Sequence, residues 1–226
     1  MNRLLASVAF IAFTATAADA ASFSWTVANP DFYNIVGAGS NRTETKTDND
    51  VTLRWGFPTR RNPDQNSGYN FDGKNGSLEI NPGETKQFTF ADFTHFNWDI
   101  NGTSATGVAL DKTDILFNLT LNGNVFNPFF TIDHNETLND YSLFPACCND
   151  TVQSTTYDIG SFTEGNLKYA VFLTAINMDN REQTDSKMAW MGNVSVSEVP
   201  IPPAALLFGT ALAGIGSLAR KRRKAV

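Results

Sequence analysis

Ile115-Leu116-Phe117-Asn118-Leu119-Thr120-Leu121-Asn122-Gly123-Asn124-Val125-Phe126-Asn127-Pro128-Phe129-Phe130-Thr131-Ile132 is the stretch that decides the fold class. Two apolar runs, 115–121 and 125–132, flank an Asn-Gly pair. The hairpin turn that matches strand twist needs positive φ at both central residues, and Asn-Gly supplies it at little cost. The stretch therefore predicts a β-hairpin. Further runs rich in Phe, Val, Ile, Thr and Tyr lie on either side, and none shows a sustained helical period. They predict strands over 23–28, 51–55, 77–81, 86–90, 93–100, 152–159, 167–176 and 188–196. Asp72-Gly73, Asn75-Gly76, Asn81-Pro82-Gly83 and Asn101-Gly102 punctuate them as turns.

Many short strands separated by turn chemistry predict one all-β domain, a β-sandwich or jelly roll. The chain carries 18 Phe. Strand-borne Phe side chains can fill the space between two sheets about 10 Å apart. The polar stretch 37–50 is expected to be a surface loop. No second domain, repeat or linker is apparent before Glu198.

Both ends look like targeting elements. Arg3, an apolar run over 4–15 and Ala18-Asp19-Ala20 predict a signal peptide over residues 1–20. Residues 199–226 combine the Pro-rich Val199-Pro200-Ile201-Pro202-Pro203-Ala204, a hydrophobic span and the cluster Arg220-Lys221-Arg222-Arg223-Lys224. The span from Ala204 to Ala219 has 16 residues, about 24 Å as a helix. A bilayer core is about 30 Å thick, so this single sorting helix suits a temporary anchor. The basic cluster would hold its end on the cytoplasmic side. Between the two ends lies the predicted β domain, 21–198.

The chain has 17 Lys+Arg and 23 Asp+Glu. Arg3 and the five tail cations leave 11 basic residues in the body; without Asp19, 22 acids remain, so the body is near −11. That balance argues against nucleic acid and anionic surfaces as partners. It is compatible with an extracellular protein, with cation binding, or with neutral or basic polymers.

The tail resembles the PEP-CTERM sorting signals of Gram-negative bacteria, most nearly the VPLPA-CTERM variant, with Ile201 where that variant has Leu. The resemblance implies export through the Sec translocon, transient anchoring in the inner membrane and cleavage by an exosortase near the Pro motif. It implies delivery to the cell surface or to an exopolysaccharide matrix, as in a biofilm.

Thr94-His95-Phe96-Asn97 carries a second resemblance, to the Thr-His-x-Asn family of PEP-CTERM proteins, related to the choice-of-anchor K domain. Trp55-Gly56 with Pro58 resembles that group's upstream Trp-Gly-x-Pro element. The family implies a secreted, surface-associated β domain, and no catalytic residue comes with it. The expected role is therefore structural or adhesive and not enzymatic. The alternatives are a Ca²⁺-supported carbohydrate-binding module and, more remotely, a matrix glycan hydrolase.

Residue parity gives a more local expectation. If Phe96, Trp98 and Ile100 face the core, then His95, Asn97 and Asp99 lie on the opposite face. Phe93 breaks that parity, and a bulge near Ala91-Asp92 would reconcile the two patterns. An outward His95-Asn97-Asp99 row could hold a metal or a sugar, or simply be solvated. A buried His95 bridging two strands would explain the motif without chemistry.

Asp64, Asn66, Asn70 and Asp72 place side-chain oxygens at alternating positions, as a Ca²⁺ loop does. A polar turn is the competing reading. The adjacent Cys147 and Cys148 form a candidate thiol pair, strained disulfide or source of intermolecular bridges. A Cys-His hydrolase would need one of them beside His95 or His134 with an orienting group. No nucleophile elbow, phosphate loop or zinc-ligand spacing is present. Trp25, Trp55, Tyr69 and Trp190 are candidates for a sugar-stacking platform or for the core. Seven Asn-x-Ser/Thr triplets reflect abundant Asn and Thr.

Overall fold

The computed structural model describes residues 20–38, 41–56, 66–98, 109–136, 149–181 and 184–200, with residue 211. The expected signal peptide up to Asp19, the tail from Ile201 (residue 211 apart), Asp64, and the Cys147-Cys148 pair lie outside the described residues. The strands are β1 (Ala21–Gly37), β2 (Thr43–Lys46), β3 (Asp50–Trp55), β4 (Ser67–Gly73), β5 (Gly76–Ile80), β6 (Thr85–Asn97) and β7 (Leu110–Leu121). They continue as β8 (Asn124–Phe126), β9 (Phe129–Asn135), β10 (Asn149–Ser154), β11 (Tyr157–Glu164), β12 (Leu167–Leu173), β13 (Asn177–Arg181) and β14 (Thr184–Glu198).

They form two seven-stranded antiparallel sheets, which makes the protein all-β and sandwich-like. The first sheet runs β13-β10-β9-β7-β1-β5, with β8 also on β7. The second runs β11-β12-β14-β6-β4-β3-β2. Inward faces meet in one aromatic core. Phe117 of β7 stacks on Phe90 of β6 at 5.6 Å between ring centroids. Phe130 of β9 meets Trp190 of β14 at 4.5 Å. Alternation puts these rings inside: β3 and β12 bury every second residue.

The Asn122-Gly123 hairpin forms as expected, with φ of 46° and 81° and Leu121 opposite Asn124. Register on β7 continues from β8 into β9, and Pro128, without an N–H, marks the break between them. Asn122 also ties the turn to β1, its Oδ1 accepting from the Ser24 N–H at 2.7 Å. A Cβ on Gly123 would meet nothing within 4 Å, so only backbone strain opposes one. Gly123→Ala should therefore cost about 1 kcal/mol, seen as a lower urea midpoint with an unchanged slope.

Three parts of the sequence pattern are corrected. The stretch 29–37, beyond the expected strand 23–28, continues β1 through bulges around Asn29 and Asn34, both at positive φ. The supposed loop 37–50 contains β2, an exposed edge strand on β3. The run 86–100 is one strand to Asn97, but with inverted parity. Trp190 pairs with Ala91 and Met191 with Thr89, so Phe90 is the extra residue of a bulge. Beyond it Phe93, His95 and Asn97 are buried, while Phe96 and Trp98 are only partly covered. The expected outward row of His95 and Asn97 is thus an inward row; Asp99 and Ile100 lie outside the described residues.

Candidate functional site

The bulge in β6 turns His95 and Asn97 into the space between the sheets, and both are fully buried. His95 lies opposite Tyr69 of β4 in the register. Trp55, at the end of β3, packs edge-on to Tyr69 at 4.9 Å. Across the gap, Phe130, Ile132 and His134 of β9 share one inward parity. Val152 of β10 pairs with His134, and Asp150, two residues away, shares its inward side. Glu136 follows β9 directly. Sheet topology thus brings His95, Tyr69 and Trp55 from one sheet against His134, Glu136 and Asp150 from the other.

The contacts are specific. Tyr69 Oη lies 2.5 Å from His134 Nδ1, and His134 Nε2 lies 3.0 Å from Glu136 Oε2. Asp150 Oδ2 is 3.9 Å from the same Nε2. The His95 and His134 rings meet edge-to-face at 5.1 Å, and Trp55 stands edge-to-face on His134 at 5.5 Å. Trp55 Nε1 is buried and finds no acceptor among the described residues.

Burial sets the protonation. It pushes His134 down to about 4, against the opposing pull of Asp150 and Asp111. It also holds His95 well below the ordinary imidazole value, and the neighbouring His134 adds to the shift. Tyr69 is held well above the usual phenol range by burial, then by Glu136 and Asp150. A neutral phenol donates its proton to His134 Nδ1, which leaves the imidazole proton on Nε2, facing Glu136. The result is a relay of buried hydrogen bonds across the two sheets.

The other candidate residues fall elsewhere. Thr94 is on the outer side of β6, half-buried. Gly56 follows β3 at φ +86°, which suits glycine, and its carbonyl accepts from Asn41 Nδ2 at 2.6 Å. Phe96 is capped by the Arg54 guanidinium, 3.4 Å from its ring centroid. Trp98 Nε1 donates to Asp185 Oδ1 at 3.0 Å.

Of the Ca²⁺-loop pattern, Asn70 and Asp72 belong to a strand and Asn66 directly precedes it. Asn70 and Asp72 lie on β4, between β3 and β6, so their two-residue spacing is strand parity and not loop coordination. Asn70 Nδ2 donates to Asp50 Oδ2 at 2.8 Å, and Asp72 pairs with Lys74. The sugar platform also dissolves. Trp55, Tyr69 and Trp190 are fully buried, and Trp25 is half-covered, its Nε1 donating to the Thr89 carbonyl.

A scan against family models finds no match, and a search of curated proteins returns none. His134, Glu136 and Asp150 were not singled out as a group from the sequence. The shared parity of Phe130, Ile132 and His134 is the sequence signal that would have pointed His134 inward.

Proposed function

We propose that this chain is an exported structural protein of the cell surface or extracellular matrix. Its β domain, 21–198, is a jelly-roll-type sandwich that lodges in exopolysaccharide. Residues 1–20 direct it through the Sec translocon. Residues 199–226 hold it briefly in the inner membrane until an exosortase cleaves near Val199-Pro200-Ile201-Pro202-Pro203-Ala204. The observation that carries the structural role is the burial of the motif residues. His95 and Asn97 are 0% exposed, which suits a motif that ties two sheets together. A catalytic motif needs substrate access, and a binding motif needs an exposed face. The acidic body and the basic-ended tail support export and sorting.

Intact mass of the form released by an exosortase-bearing Gram-negative host tests this reading. The expected mass begins near Ala21 and lacks Arg220-Lys221-Arg222-Arg223-Lys224. A released species that keeps those five residues rejects processing at the tail. Turnover of a matrix glycan by the purified protein rejects the structural role in favour of the hydrolase.

A further inference from the structure

We infer that His95, His134 and Asp150, with Glu136 beside them, form a buried structural site for one divalent transition-metal ion, best matched by Zn²⁺. Among the described residues, these three offer ligand atoms that all lie within 4.8 Å of one another. Donors around tetrahedral zinc sit roughly 3.3 Å apart, given bonds of about 2.0–2.1 Å. The separation of 3.9 Å between His134 Nε2 and Asp150 Oδ2 closes by small side-chain rotations. Glu136 Oε2 lies 3.0 Å from the same nitrogen but outside the set of mutually close ligand atoms, so it stands beside the three ligands and would need a side-chain movement to become a fourth.

The donor types select the ion. Two imidazoles and a carboxylate suit zinc and its first-row neighbours, whereas Ca²⁺ and Mg²⁺ take oxygen donors. Asp150 as a ligand and Glu136 beside it, both ionised, would cancel the charge of a divalent ion, leaving a neutral centre suited to a dry interior. The surroundings are closed: His95 and Asp150 are 0% exposed and His134 is 6% exposed. Trp55 and Tyr69 wall the site. Three buried donors with Glu136 as the neighbouring carboxylate, closed from solvent, suit the structural kind of zinc site, without a position open to substrate.

Tyr69 supplies the outer contact that zinc-bound histidines ordinarily have. When His134 binds through Nε2, its proton moves to Nδ1, and Nδ1–H then donates to Tyr69 Oη. The imidazole stays neutral, and Tyr69 changes from donor to acceptor in that bond. The ion would join β6 of one sheet to β9 and β10 of the other. It would act as a staple at one end of the sandwich. This inference does not depend on export or on tail processing.

The test uses the full-length chain, stripped with a chelator and titrated with Zn²⁺ and with Co²⁺ as a spectroscopic stand-in. One Co²⁺ per chain with the intense visible absorption of tetrahedral coordination is expected. Zn²⁺ at about a hundredfold excess over Kd should raise Tm by roughly 5–10 °C. Asp150→Asn keeps the side-chain volume and should bind at least tenfold more weakly. Tyr69→Phe should lose roughly 10–100-fold through the outer contact. Folded wild-type chain that takes up no stoichiometric metal overturns the site, as does uptake unchanged in Asp150→Asn. Should that variant not fold, the wild-type spectrum decides alone. Weak, six-coordinate Co²⁺ absorption overturns the site, and tetrahedral absorption upholds it.

Discussion

Trp190→Ala is expected to lower the free energy of unfolding by about 4 kcal/mol. Trp190 is fully buried near the centre of the sandwich. Its indole meets Phe130 from the opposite sheet at 4.5 Å and Phe90 of its own sheet at 5.3 Å. Phe93 and Phe71 stand edge-on at 5.7 and 6.0 Å. Truncation to Ala removes the whole ring and leaves a cavity that these stiff aromatic neighbours cannot collapse into. It also removes the Nε1–H that donates to the Thr174 carbonyl at 2.7 Å. The exposed Phe172, on neighbouring β12, gives the control: Phe172→Ala should cost under about 1 kcal/mol. Urea unfolding followed by far-UV circular dichroism measures both. A Trp190 loss no larger than the Phe172 loss would contradict the central packing.

Strand content and sandwich class were legible because the inward positions are large and apolar and the turns are chemically marked. Asn122-Gly123 is the clearest instance, since few other residue pairs take positive φ twice in succession. Where the sequence misled, the physical reason is local. Strand parity is a count of residues, and one bulge residue inverts everything after it. Phe90 does this in β6, so the apolar Phe96 and Trp98 go outward and the polar His95 and Asn97 go inward. Arg54 and Asp185 make that inversion tolerable by covering the two outward aromatics. β2 escaped notice because an edge strand exposed on both faces carries no apolar alternation. β4 looked like a cation loop because oxygen-bearing residues spaced two apart also mark the solvent face of a strand. The buried polar cluster was invisible for a different reason. Its members come from β4, β6, β9 and β10, and only the crossing of two sheets brings them together.

Acidification should destabilise the metal-free protein well before its exposed carboxylates titrate. In the native state His134 is held down to about 4 by burial, despite the nearby Asp150 and Asp111. In the unfolded chain it returns to about 6.5. The unfolded state therefore binds the proton first, and stability falls as pH drops from about 6.5 towards 4. That separation predicts a loss of about 2 kcal/mol between pH 6.5 and 4.5 from this group alone. His95, lowered in the same direction, deepens the loss. Tyr69 acts at the other limb. Its folded-state value is raised, so its contribution is full below about 10 and is lost as pH climbs beyond that. Asp150 and Asp111 oppose the lowering of His134 by favouring its imidazolium, and the value of about 4 already includes their pull. The three groups together leave a plateau between about pH 7 and 10. Urea midpoints taken across pH 4.5–8 in the presence of a chelator measure the acid limb. His134→Gln should flatten it by the share belonging to His134, because glutamine keeps a donor and an acceptor but does not titrate. A wild-type midpoint constant from pH 6.5 to 4.5 would mean that the imidazoles are charged or solvated in the folded state, and the inward parity of β6 beyond Phe90 would fall with it.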